Sequence, residues 1–228
     1  MPNKFIKKNI QKIFQSLGFD IMKRKKFPLH MDVVWLRKLL YFKQIFDRIS
    51  SLEGDIVECG VERGMTFFFL AFLMSEEGGK RKLWGFDSFE GFPEPTVEDD
   101  SFRNPKKGEL GGVNPEDILN VLRVGSINED FIKNNVKIVK GFFAETLRSY
   151  QGNQIALLHI DADLYQSYKC VLEELFPKVI KGGVILFDEY DNPKFPGAKK
   201  AVDEYFQNTS YRISYDKKSD KHYIFKSA

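Results

Sequence analysis

Leu157-Leu158-His159-Ile160-Asp161-Ala162-Asp163-Leu164-Tyr165 and, further on, Val184-Ile185-Leu186-Phe187-Asp188-Glu189-Tyr190 decide the fold. Each is a short apolar run that stops abruptly at acidic residues. Such a run marks a strand buried on both faces, as in a parallel sheet. Ligands of parallel sheets gather beyond the carboxyl ends of the strands. Two neighbouring strands of this kind bring Asp161, Asp163, Asp188 and Glu189 to one place. Carboxylates sharing a pocket disfavour one another's ionised form. A divalent cation relieves that repulsion, and hard oxygen ligands suit magnesium, calcium or manganese.

Working outward, strand and helix patterns alternate. Asp55 to Cys59, Lys82 to Phe86, Val136 to Val139, Ile155 to Ile160 and Val184 to Phe187 read as five strands. Between them lie helical patterns at Thr66 to Met74, Ile118 to Val124, Glu129 to Lys133, Ala144 to Ser149 and Tyr168 to Ile180. A further helix is expected at Ala198 to Phe206. Tyr211 to Tyr215 and Tyr223 to Lys226 suit a terminal antiparallel pair. Alternation of this kind predicts an α/β, doubly wound, Rossmann-like sheet with helices on both faces.

Two helical patterns precede the first strand, one over residues 3–18 and one over 32–50, so residues 1–50 read as an N-terminal helical extension and 51–228 as the main domain. The net charge of +3 is too small to imply a nucleic-acid partner, but its distribution is uneven: residues 1–26 carry +7 and the remainder −4. The lysine-rich face of the first helix suits packing on the domain or a partner subunit, with a homodimer as the expected state, or contact with an anionic membrane surface. No run approaches a membrane span, and no secretion signal is visible. Cys59 and Cys170 have no metal-like spacing. A cytoplasmic location, with the inner membrane surface as the alternative placement, is the expectation. The stretch from Glu90 to Pro115, rich in proline and glycine, breaks the rhythm, and a loop of that length is usually functional or disordered. A lid over the acceptor is the expectation for it.

Val57-Glu58-Cys59-Gly60-Val61-Glu62-Arg63-Gly64 closes the first strand and opens a helix. Its glycines let the backbone turn tightly and approach a ligand. It lacks the full G-x-G-x-x-G dinucleotide fingerprint. Glu58, just before the first glycine, suits a ligand with a positive centre and an amino group better than a pyrophosphate. Asp87, ending the second strand before Ser88, is placed to accept from both ribose hydroxyls; turn capping is the alternative. Together these features favour S-adenosylmethionine over a nicotinamide cofactor.

The strings IVECGVERG, LWGFDSFEGFPEP, LLHIDADLYQSY and GGVILFDEYDNPKFPGAKKAVDEYF resemble, in order, the macrocin O-methyltransferase family of sugar methyltransferases, over roughly residues 50–210. The resemblance implies a class I S-adenosylmethionine fold, magnesium dependence and methylation of a sugar hydroxyl. By the same resemblance, Glu58 and Gly60 contact the methionine part of the cofactor, Asp87 and Ser88 hold the ribose, and Phe143 lies near the adenine. Asp161 is implied as metal ligand and base, with Asp188 and Glu189 as further ligands. Glu189 departs from the usual aspartate by one methylene. Tyr168 replaces a usual small residue and is expected to reshape the substrate pocket.

Other residues keep two readings. Asp163 either orients a ligand or caps the following helix. His159 is a buried structural histidine or a support for a ligating side chain. Tyr165 and Tyr190 contact sugar faces or pack, and Arg63 binds a substrate anion or makes a surface ion pair. The rival classes are a haloacid-dehalogenase-type phosphatase, with Asp161 and Asp163 as its D-x-D pair, a catechol-type methyltransferase, and a non-catalytic cofactor-binding protein.

Overall fold

The computed structural model describes residues 32–152 and 154–227; the helical pattern over residues 3–18 lies outside them. The chain divides at Leu36/Arg37, and the unit from Arg37 onward carries the sheet. Helix α1 (Val33–Ile49) comes first, then strand β1 (Asp55–Cys59), α2 (Met65–Glu76) and β2 (Leu83–Asp87). Next are α3 (Pro115–Val124), α4 (Glu129–Asn135), β3 (Val136–Lys140), the short α5 (Phe143–Thr146) and β4 (Ile155–Ile160). The chain continues through α6 (Tyr165–Leu175), β5 (Val179–Phe187), α7 (Pro196–Phe206), β6 (Ser214–Asp216) and β7 (Lys221–Phe225).

The seven strands form one sheet in the order β3-β2-β1-β4-β5-β7-β6. The first five are parallel, and β7 inserts antiparallel between β5 and β6. Sequence order reverses between β1 and β4, where a doubly wound sheet opens a crevice at its carboxyl edge. Every residue of β4 is buried. Its alternate side chains serve two layers. Leu158 and Ile160 join Val57, Cys59, Ile185 and Phe187 in a core with Tyr168, Val171, Leu172 and Val202 of α6 and α7. On the other face His159 meets Phe42 of α1, ring edge to ring face, with centroids 5.2 Å apart.

One predicted element is corrected. The helix expected over Tyr168 to Ile180 starts at Tyr165 and ends at Leu175, followed by a 3-10 turn (Phe176–Lys178), and β5 already begins at Val179. Pro177 has no N–H to continue the helical ladder, so the chain leaves it there. The 90–115 stretch is ordered. Phe92 N–H donates to Glu109 O at 2.9 Å and Gly108 N–H donates to Phe92 O at 3.0 Å, closing the insertion on itself. Asp99, 2% exposed, anchors it to the body.

Candidate active site

Gly60 shapes the crevice. Its φ of +93° lies in the left-handed region, and a Cβ there would sit 1.8 Å from the carbonyl oxygen of Asp161. Glycine is required for both reasons. The close approach, with Asp161 N–H donating to Cys59 O at 2.9 Å, sets the end of β4 against the turn after β1. Glu58 precedes this turn and is wholly buried. Its Oε1 lies 2.9 Å from His159 Nδ1, and its Oε2 is buried with no hydrogen-bond partner. Burial pushes the Glu58 carboxyl up to about 7, although His159 pulls it back. A buried carboxylate oxygen with no partner is costly unless a ligand supplies one. The amino group of the implied cofactor has the chemistry to do so.

Asp87 reaches back to the same turn. Its Oδ2 accepts from the N–H groups of Val61 (2.8 Å) and Glu62 (2.9 Å), and its Oδ1 from Phe89 N–H (2.6 Å). The Ser88 hydroxyl donates to Gly91 O at 2.8 Å and accepts from Glu90 N–H. The structure therefore has Asp87 tying its own turn to the turn after β1, and Ser88 holding its own turn. Phe143 opens α5 and is half-buried, packed against the α6-side core.

At the ends of β4 and β5 the acidic side chains converge. His159, Asp161 and Asp188 offer ligand atoms within 4.8 Å of one another, and so do Asp161, Asp163 and Glu189. Asp161 belongs to both groups, while Asp188 and Glu189 fall in different ones. Asp188 is heavily compensated. Lys38 Nζ lies 3.1 Å from its Oδ1, Lys221 Nζ 3.0 Å from its Oδ2, and His159 Nε2 3.5 Å from Oδ1. Burial alone would raise Asp188, but these three cations hold it well below the usual carboxylate range. The opposite holds next door. Burial and the charge of Asp188 raise Asp161, and burial and Asp161 raise Asp163. Glu189 is pushed up to about 7 by burial, then by Asp188 and Asp161. The oxygens with least compensation are thus those of Asp161, Asp163 and Glu189, although Lys38 Nζ lies 3.7 Å from Asp161 Oδ2 and the Asn192 amide donates to Glu189 Oε2; they form a hard donor set that fits a divalent cation.

A family model described as macrocin O-methyltransferase matches residues 20–216. The chain belongs to the macrocin O-methyltransferase family. It is 30% identical over 182 residues to a demethyldecarbamoylnovobiocin O-methyltransferase of Streptomyces niveus, a match covering 76% of this chain and 66% of that protein. It is 27% identical over 163 residues to the mycinamicin III 3''-O-methyltransferase of Micromonospora griseorubida, covering 68% of this chain and 61% of the relative. The matches thus span just under two thirds of these relatives' own length. Among solved structures, the calicheamicin methyltransferase CalS11 superposes with a TM-score of 0.75 at 25% identity, covering 99% of this chain and 94% of its own. The O-methyltransferase NovP does so with a TM-score of 0.72 at 26% identity, covering 85% and 81%. The doubly wound sheet is therefore a class I methyltransferase fold.

Within this family frame some expected residues take other roles. Asp163 does not cap α6: its φ is +57°, and the Tyr165 N–H at the helix start donates to Asp99 Oδ1 at 2.7 Å. Tyr168 is fully buried, donating to Ile160 O at 2.9 Å and accepting from Glu189 N–H at 3.2 Å. It braces the ends of β4 and β5. Tyr165 and Tyr190 donate to Glu204 and Asp203. Arg63 makes a surface ion pair with Glu62. His159 is buried between the Glu58 and Asp188 carboxylates.

Lys38, Lys221 and Asp99 were not singled out from sequence. Lys38 had a visible signal. It stands four residues before Phe42 on the stripe continued by Ile45 and Ile49, so helical spacing turns a lysine toward the interior. Lys221 sits on an edge hairpin, and only the insertion of β7 beside β5 brings it to Asp188. Asp99 closes a capping box with Thr96, whose N–H it accepts at 2.9 Å.

Proposed function

We propose that this protein is an S-adenosylmethionine-dependent, divalent-metal-dependent O-methyltransferase acting on a sugar hydroxyl of a glycan, nucleotide sugar or glycosylated metabolite. The observation that carries the reading is the meeting, at the β1/β4 switch point, of a buried unpartnered Glu58 oxygen with an under-compensated acidic cluster. Its membership of a family whose relatives are named for methylation of sugar-bearing compounds supports the acceptor class.

S-adenosylmethionine supplies an activated methyl group on a sulfonium centre. A bound divalent cation, magnesium in the first instance, supplies acidification and orientation of an alcohol. The chain's own residues do the rest. Glu58 Oε2 takes the cofactor's amino group, and the turn at Gly60 lets the backbone approach its methionine part. Asp87 and Ser88 stand at the ribose, Asp87 through lone pairs left by its turn bonds, and Phe143 flanks the adenine. Asp161, Asp188 and Glu189 would hold the cation, with Asp163 alongside. Asp161, its pKa raised, also receives the proton of the acceptor hydroxyl as general base. Holding acceptor and donor in line supplies much of the acceleration. The Glu90 to Pro115 insertion closes over the acceptor and excludes water.

The test is Asp161→Ala. It should lower methyl transfer at least a hundredfold while S-adenosylhomocysteine still binds by calorimetry; retained turnover refutes the assignment. Transfer should also stop with EDTA and return with magnesium. Mass spectrometry of nucleotide sugars and cell-surface glycans after incubation should show a gain of one methylene. We extend the proposal to a homodimer and to contact of the basic residues 1–26 with an anionic membrane surface. No helix among the described residues is long and apolar enough to cross a membrane.

A further inference from the structure

Among the described residues, His159 touches both halves of the site. It lies opposite Glu58 in the β1–β4 register and opposite Leu186 in the β4–β5 register. Its Nδ1 is 2.9 Å from Glu58 Oε1, and its Nε2 is 3.5 Å from Asp188 Oδ1. The ring is 1% exposed, and Phe42 stands against it at right angles. Glu58 keeps a buried oxygen, Oε2, without a hydrogen-bond partner. Asp188 Oδ1 also has Lys38 Nζ beside it as an ion-pair neighbour.

We propose that His159 is a positioning residue that couples the two sites, so that occupancy of the methyl-donor crevice and occupancy of the acidic cluster strengthen each other. The proposal rests on the reading of the site given above, with the donor at Glu58 and the cation at the acidic strand ends. A ring clamped by Phe42 has little freedom to follow two carboxylates independently. A ligand that draws Glu58 Oε2 into one orientation fixes Oε1, and through it the ring and its Nε2. Asp188 is then already oriented when the second ligand arrives, and the ordering cost is not met twice. Thermodynamic linkage makes the effect reciprocal: each ligand raises the affinity for the other by the same factor.

Calorimetry with S-adenosylhomocysteine, with and without saturating Mn2+, and Mn2+ titrations followed by electron paramagnetic resonance, with and without S-adenosylhomocysteine, read that factor directly. In the wild-type protein both routes should give the same enhancement, about fivefold or more. His159→Asn places a donor where Nδ1 stood and keeps only the contact with Glu58. His159→Gln extends a donor toward Nε2 and keeps only the contact with Asp188. The first should retain affinity for S-adenosylhomocysteine, the second affinity for Mn2+, and both should drop the enhancement to about one. A merely structural histidine would weaken binding without abolishing the linkage. Independent binding of the two ligands to the wild-type protein overturns the coupling and leaves the functional reading intact. So does an enhancement that survives in both variants. Failure of the wild-type protein to bind either ligand overturns the functional reading, and this proposal with it.

Discussion

The Tyr168 hydroxyl joins the carbonyl of Ile160 to the N–H of Glu189, and so ties together the two strand ends that carry the acidic cluster. Tyr168→Phe keeps the ring in the core and strands the Glu189 N–H, while Ile160 O keeps the Asp188 N–H at 3.0 Å. It should cost about 1–3 kcal/mol, read as a lower urea midpoint at unchanged slope, and should weaken Mn2+ binding. Glu58 makes a second prediction. Its ordinary carboxyl value of 4.5 is pushed up to about 7 in the folded protein. A native group that holds its proton more tightly than the unfolded chain adds stability that is complete below 4.5 and is lost as pH rises through 7. The unliganded protein should therefore melt at lower temperature at about pH 8 than at about pH 5. Glu58→Gln should flatten part of that decline; Glu189, also pushed up to about 7, supplies more of it. A melting series on both proteins checks the sign. The acidic residues themselves were legible because each ends an apolar run. Their different electrostatic states were not, because these depend on Lys38 and Lys221, which reach Asp188 from distant parts of the chain.

Among the elements, the strands read most clearly, since five apolar runs buried on both faces leave little else for those residues to be. Boundaries set by side chains from elsewhere read poorly. The start of α6 is one: Tyr165 N–H is capped by Asp99, supplied by the insertion, and no local pattern announces it. Gly197 makes the arrangement possible, because a Cβ at that position would lie 2.1 Å from Asp99 Oδ1. The insertion is thereby pinned where α6 and α7 begin, and Lys200 of α7 adds an ion pair to Glu98 at 3.2 Å. Asp99→Ala removes the cap and both bonds to Thr96, and should cost about 1–2 kcal/mol. It should also speed tryptic cleavage at Arg103, Lys106 or Lys107, timed on gels. Asp99→Asn, which keeps an acceptor for Tyr165 N–H, should restore part of the protection. Equal cleavage rates in all three proteins would show that the insertion is held by something other than this cap.

For the whole molecule, the distribution of charge says more than its sum. Residues 1–26 hold +7 of a chain whose net charge is +3, so the remaining residues are acidic and a basic segment is tethered to them. An anionic bilayer attracts such a segment by about 1 kcal/mol per Lys or Arg near its surface, an attraction that falls off within a Debye length. The acidic remainder is repelled by the same surface, which would orient the protein with its basic segment inward. Lys23, Arg24, Lys25 and Lys26 form the densest group. Their joint replacement by glutamine removes about 4 kcal/mol on that scale, so co-sedimentation with phosphatidylserine-containing vesicles should fall by more than a hundredfold. Binding by the wild-type protein should also fall steeply between about 50 mM and 500 mM salt, as the Debye length shortens. Vesicles of phosphatidylcholine alone should bind neither protein. Binding of the wild-type chain that ignores both salt and lipid charge would mean that apolar positions such as Phe5, Ile6 and Phe14, not the lysines, make the contact.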